Sequence, residues 1–182
     1  MSEDLMVRQC SPTLSGLKTG NLFMAPYTSR AAVQAEIRRL NLLLKAKGLR
    51  ILPLQYLKQR VQIYVYRPNR LRKDLSNPKA QALLASMGYP VENPDACVTC
   101  LARKLRQGGP FPHEIGLFLS YPIEDVLGFM DQTACCKCVG CWKVYGDAEA
   151  ARKRFSQYKK CARVYYDRWK QGTPIQRLTV AG

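Results

Sequence analysis

The sequence predicts a single α+β domain: a small, largely antiparallel sheet packed by several helices, with a long helix near the C-terminus. Three observations carry this. The chain has 182 residues, 47% of them hydrophobic and 9% aromatic, which suffices for one buried core. No repeat or boundary divides it, so residues 1–182 are read as one domain. Val61, Ile63 and Val65 alternate with Gln62, Tyr64 and Tyr66, the two-residue period of a strand. Ala151, Phe155, Tyr158, Ala162, Tyr165 and Trp169 recur at steps of four and three, the apolar stripe of a helix.

The elements follow in order. Residues 1–28 hold the turn formers Ser11, Pro12, Ser15, Gly16, Gly20 and Pro26. They are read as a loop-rich N-terminal arm with a short strand near Asn21–Met24. A helix is expected next, capped by Thr28 or Ser29 and closed by Gly48, with Val33, Ile37, Leu40 and Leu44 on its apolar face. Strands at Leu49–Leu57 and Val61–Tyr66 are joined by only Lys58–Arg60, so they form an antiparallel hairpin. Residues 69–108 read as helical pieces punctuated by Pro78 and Gly88–Pro90, the last piece covering 92–106. Residues 111–130 read as two short helices divided at Tyr121–Pro122. Cys135–Gly146 is a cysteine-rich loop running into a short strand at Trp142–Tyr145. Asp147 caps the C-terminal helix, 147–171, whose stripe is expected to lie against the sheet. An edge strand at Gln176–Val180 completes the reading.

Composition bounds function from outside. It excludes a collagen, a coiled coil and a low-complexity chain. No apolar run approaches the ~20 residues that cross a bilayer. The opening MSEDLMVRQC is acidic and lacks an apolar core, unlike a secretory signal, so a cytoplasmic protein with no membrane partner is expected. Lys and Arg number 29 against 13 Asp and Glu, for a net charge of +16. A basic protein of this kind suits a polyanion. In a reducing cytoplasm its eight cysteines are thiols, metal ligands or redox groups rather than disulfides.

Several stretches are specific as text: RQCSPTLSGLKTGNLF at Arg8–Phe23, YVYRPNRL at Tyr64–Leu71, FPHEIGLFLSYPIEDVLGFM at Phe111–Met130, GCWKVYGDAEAARKRFSQYKKC at Gly140–Cys161, and the closing QRLTVAG. Together they resemble an uncharacterised family of anaerobic bacteria, domain-of-unknown-function family 3793, over nearly the whole chain. The resemblance implies no assigned activity. It carries an association with iron uptake and flavodoxins, which makes an acidic redox partner such as a flavodoxin an expectation. Neither Cys97/Cys100 nor the Cys135–Cys136 doublet belongs to the family pattern.

Four constellations can carry chemistry. Cys97-x2-Cys100 and Cys138-x2-Cys141 are paired spacings that can give four thiolates to zinc. Cys135 and Cys136 with Cys138 and Cys141 form an alternative cluster that can hold an iron–sulfur centre. Reduced thiols buried as small hydrophobes are the third reading. The lone histidine, His113, precedes Glu114 at a helix mouth, as ligand, general base or cap. Cys10, Lys18 and their small polar neighbours can cradle an anion or supply a nucleophile. These segments predict that Cys10, Lys18 and His113 face one pocket, with Glu114 at its edge. Last, Arg152, Lys153, Arg154, Lys159, Lys160, Arg163, Arg168 and Lys170 flank the aromatic stripe, with Tyr166 among them, and can bind nucleic acid.

The reading taken forward is a cytoplasmic accessory protein of metal, iron or redox metabolism with a cysteine-based metal site. Its rivals are an enzyme built on Cys10, Lys18, His113 and Glu114, and a basic nucleic-acid-binding module.

Overall fold

The computed structural model describes residues 2–131 and 133–182. A central strand with both faces buried organises the chain. It is β3 (Arg60–Tyr66), flanked by β1 (Gly20–Pro26) and β2 (Arg50–Leu57) in an antiparallel sheet of order β1-β3-β2. Gly20 pairs with Tyr66 and Pro26 with Arg60. Pro53 on edge strand β2 precedes a register shift before Gln55, where a missing N–H does no harm.

Val61, Ile63 and Val65 enter one apolar cluster, together with α1 (Glu3–Leu14) and α2 (Arg30–Leu44). Tyr64 and Tyr66, ring against ring at 4.7 Å, enter a second. That second cluster is closed by α3 (Pro68–Leu75), α4 (Pro78–Ser86), α5 (Pro94–Gln107), α6 (Ile115–Phe118) and α7 (Ile123–Met130). The Tyr64 hydroxyl donates to Phe118 O at 2.6 Å, and Gln55 Nε2 donates to Gln62 Oε1 at 2.8 Å. Gly20 permits the first contact, since a Cβ there would lie 2.6 Å from Phe118 O. A two-stranded hairpin, β4 (Cys138–Val139) and β5 (Lys143–Val144), leads into α8 (Ala148–Lys170) and α9 (Ile175–Leu178).

Local chemistry sets the helix starts. Asn77 and Asn93 each precede a proline, and each Oδ1 accepts two backbone N–H groups of the first turn of α4 or α5. Ser29 Oγ accepts one such N–H at the start of α2, and the Asp147 carboxylate accepts two at the start of α8.

The N-terminal arm is a correction. Most of it is helix α1, capped by Ser2, with Glu3 and Asp4 in its first turn. Ser11, read as a turn former, donates its hydroxyl to Val7 O inside the helix, and Pro12 falls in the last turn, where it leaves one carbonyl of the preceding turn without its helix donor. Residues 175–178 are helix rather than edge strand, because Ile175 and Leu178, three apart, are both buried. The stripe of α8 lies along α1 and the cysteine hairpin rather than on the sheet. Only Ala151 and Tyr158 are fully buried in it.

Arg67, 2% exposed, knits these parts together. It donates to Thr13 O and Leu14 O at 2.7 Å, to Val180 O at 2.8 Å and to Lys47 O at 3.2 Å. Two of these are terminal carbonyls of α1, which a helix end leaves without partners.

Candidate functional site

The most developed concavity is a cleft of about 600 Å³ between α3, the start of α4, the turn joining α6 to α7, and α8. The turn after α1 supplies Leu17 and Thr19, α3 supplies Arg70, Lys73 and Asp74, and α8 supplies Arg154 and Tyr158. Ser120, on the turn joining α6 to α7, lies against Thr19. It is the one non-glycine with a positive φ, +61°, among the described residues, a conformation that costs energy and must be held by its surroundings. Its Oγ accepts the Thr19 N–H at 2.7 Å, and Thr19 Oγ1 donates to Asp74 Oδ2 at 2.5 Å. Arg70 donates to Gly16 O. Neither the Lys73 ammonium nor the Arg154 guanidinium makes a hydrogen bond or ion pair among the described residues.

Lys18 lies behind this wall. It is 8% exposed, and its Nζ sits 5.5 Å from the Tyr121 ring centre and 6.0 Å from that of Tyr158, both cleft residues. Burial draws its pKa down to about 8, against the opposing pull of Cys141 and Cys10. No carboxylate compensates it among the described residues.

The four predicted site residues fall into two places: Cys10 and Lys18 are near one another, and His113 and Glu114 border a separate hollow. Cys10 is wholly buried with the α1–α2 cluster, where burial pushes its thiol far above the ordinary range despite Lys18. That is an apolar core position, not a nucleophile's. His113 is exposed, its ring 4.9 Å from Phe129 and 6.1 Å from Phe111. It borders a separate hollow with Lys104 and Met130. Glu114 is buried nearby, at the start of α6, where its side chain makes no cap hydrogen bond. It accepts from the Tyr89 hydroxyl at 2.8 Å and from Lys104 Nζ at 3.5 Å. The single pocket joining Cys10, Lys18 and His113 is therefore corrected to a core thiol, a cleft-side lysine and a distant surface histidine.

The paired thiols are apart in the packing as well. Cys97 and Cys100 are buried under α5, where their Sγ atoms face Pro90 O and Gly88 O. Cys138 belongs to the cluster around Trp142, while Cys135, Cys136 and Cys141 are exposed. Among the described residues no group of three or more His, Cys, Asp or Glu is gathered closely enough to hold a metal ion. The zinc set of Cys97, Cys100, Cys138 and Cys141 is not assembled here, nor is the Cys135–Cys141 cluster.

Asp125 explains much of the specific text. Its carboxylate accepts from Trp142 Nε1 and from the Tyr145 and Gly146 N–H groups, each at 2.7 Å. Trp142 stacks on Tyr121 at 4.8 Å and meets the edge of Phe155 at 4.5 Å. One carboxylate thus fixes the hairpin to the turn that carries Ser120 and Tyr121. Sequence reasoning noted Arg154 but not its place, and it did not single out Arg70, Lys73 or Ser120. Nothing in a serine's identity signals a left-handed backbone.

Among the described residues no helix is long and apolar enough to cross a membrane. No curated protein and no solved structure matches the chain. A family model described as a protein of unknown function, DUF3793, matches residues 6–179, a span running from within α1 to just past α9. With nearly every element inside that match, the chain belongs to the DUF3793 family.

Proposed function

We propose that the protein binds a small anionic, phosphate-bearing ligand in the cleft between α3 and α8. The observation that carries this is the pair Lys73 and Arg154, two cations lining one cleft with no partner among the described residues. Arg70 adds a third charge, and buried Lys18 a fourth from behind. Of the carboxylates present, Asp74 is engaged by Thr19 and Glu124 faces Lys79 at 4.0 Å. Guanidinium and ammonium groups beside backbone turns are the donors that phosphate oxygens take.

Titration with pyrophosphate by calorimetry tests this reading. Binding at low salt is expected, weakening as salt is raised, and the exposed double variant K73A/R154A is expected to lose it. Absence of binding, or equal binding by the variant, overturns the reading.

A second reading keeps an accessory role in metal or redox metabolism within a reducing cytoplasm. It is supported by three exposed thiols, Cys135, Cys136 and Cys141, beside half-buried Cys138 on one surface segment. Capture of zinc or an iron–sulfur centre there requires the hairpin to rearrange. Elemental analysis after anaerobic purification decides it: metal bound in stoichiometric amount supports the role, and metal-free protein removes it.

A further inference from the structure

Three aromatic side chains stand together on the surface, none of them lining the anion cleft. Phe111 is 48% exposed and Phe129 41%, and the exposed His113 ring lies between them. Lys143 on β5 holds its ammonium 5.6 Å from the Phe129 ring centre. Beside the rings opens a hollow of about 430 Å³, bordered by Lys104, Gln107, Gly108, Pro110 and Met130. Clustered exposed aromatics in a chain of this charge mark an interaction surface.

The chain around the rings has a defined path. Gly108 and Gly109 have φ of +74° and +110°, which turns the chain out of α5. Pro110 and Pro112 then stiffen the segment. Immediately after His113, buried Glu114 is tied to Tyr89 and Lys104. The acidic residue next to Met130, Asp131, turns its carboxylate onto Thr133 N and Oγ1.

We propose that the Phe111–His113–Phe129 face is a stacking platform for single-stranded nucleic acid, with Lys143 meeting the phosphate backbone. Planar rings beside an ammonium are the sequence-tolerant means of holding unpaired bases, and the net charge of +16 supplies long-range attraction. The stacking role expected of Tyr166 on α8 moves here, because that ring is already occupied. Arg8 lies 4.2 Å from its centre and Lys170 5.0 Å.

The test is fluorescence anisotropy with a labelled oligothymidylate of about 15 nucleotides in about 50 mM salt. Wild-type protein is expected to bind it and to bind a duplex of equal length more weakly. F111A and F129A should each weaken binding roughly 5- to 100-fold. Both sites are surface, and unchanged thermal unfolding confirms that the variants fold. K143A should lower the salt slope by about 0.7, while K73A/R154A, which takes two charges from the long-range attraction, should weaken binding less than either aromatic variant. Failure of the wild type to bind, wild-type affinity in both aromatic variants, or a preference for duplex overturns the proposal. So does a loss seen only in K73A/R154A.

Discussion

Asp125 and Trp142 are joined by a 2.7 Å hydrogen bond in which the indole N–H donates to a buried carboxylate. Two backbone N–H groups, of Tyr145 and Gly146, converge on the other carboxylate oxygen. The bond spans two of the most specific stretches of the chain, and both wall residues Ser120 and Tyr121 hang from the same turn.

Replacing Asp125 by Asn should therefore loosen the hairpin. An amide keeps one acceptor oxygen where three N–H groups converge, and its NH2 sets donor against donor. A loss of about 2–4 kcal/mol is expected, read by urea unfolding, with a red shift of tryptophan emission as Trp142 meets water. An unchanged midpoint and spectrum would remove Asp125 from its structural role.

Lys18→Met tests the buried cation. The folded pKa, about 8, lies below the ordinary 10.5, so the unfolded chain holds this proton more tightly. Below pH 8 both states carry the charge and the folded state bears its full burial cost. Between pH 8 and 10.5 that cost falls away, and stability from this group rises with pH. The variant should thus be more stable at neutral pH, by up to about 3 kcal/mol, with the gain shrinking toward pH 10. Buried Tyr121 and Tyr158, whose hydroxyls are pushed up, act oppositely above that range, so the comparison belongs below it. A constant difference between the two proteins across this window would contradict the assignment.

Thiol reactivity should sort by position. Alkylation of native protein, followed by peptide mapping, is expected to label Cys135, Cys136 and Cys141 first and Cys138 and Cys161 more slowly. Cys10, Cys97 and Cys100 should react only after unfolding, since they are buried and burial pushes Cys10 and Cys97 up. Early labelling of Cys10 would restore it as a candidate nucleophile.

Arg67→Met should be the most damaging single change of this set. It strips donors from the carbonyls of Thr13, Leu14, Lys47 and Val180. A cost of about 4 kcal/mol or more is expected, together with faster amide exchange at the end of α1. Slow exchange there, at wild-type stability, would show the clasp to be dispensable.

What the sequence disclosed follows from where periodicity is strong. Val61–Tyr66 and the stripe of α8 were legible because one repeated spacing served one purpose. So were the starts at Ser29 and Asp147, where cap and helix former adjoin. Helix α1 was hidden although Met6, Cys10 and Leu14 recur by fours, because Ser11, Pro12 and Thr13 speak locally for a turn and tertiary burial overrides them. The cleft was legible only in part. Lys18 and Thr19 stood out within a polar loop, but Arg70, Lys73 and Arg154 come from helices whose meeting depends on the whole fold. The paired cysteine spacings stood out as well, but spacing describes neighbours along the chain, whereas packing buries one pair on α5 and leaves the other at the surface hairpin.

The double burial of β3 leaves an ambiguity for the chain to resolve. In a half-exposed strand, sliding by one residue would bring polar groups inside, and that penalty alone holds the alignment. Here a slide would exchange Val61, Ile63 and Val65 for Tyr64 and Tyr66, apolar for largely apolar. What resists it is the small number of atoms that must find a fixed address. The Tyr64 hydroxyl has Phe118 O, and Gln62 has the amide of Gln55. Those two polar groups act as indexing pins in an otherwise interchangeable surface. Their removal would reveal itself less as lost stability than as a second, misaligned population.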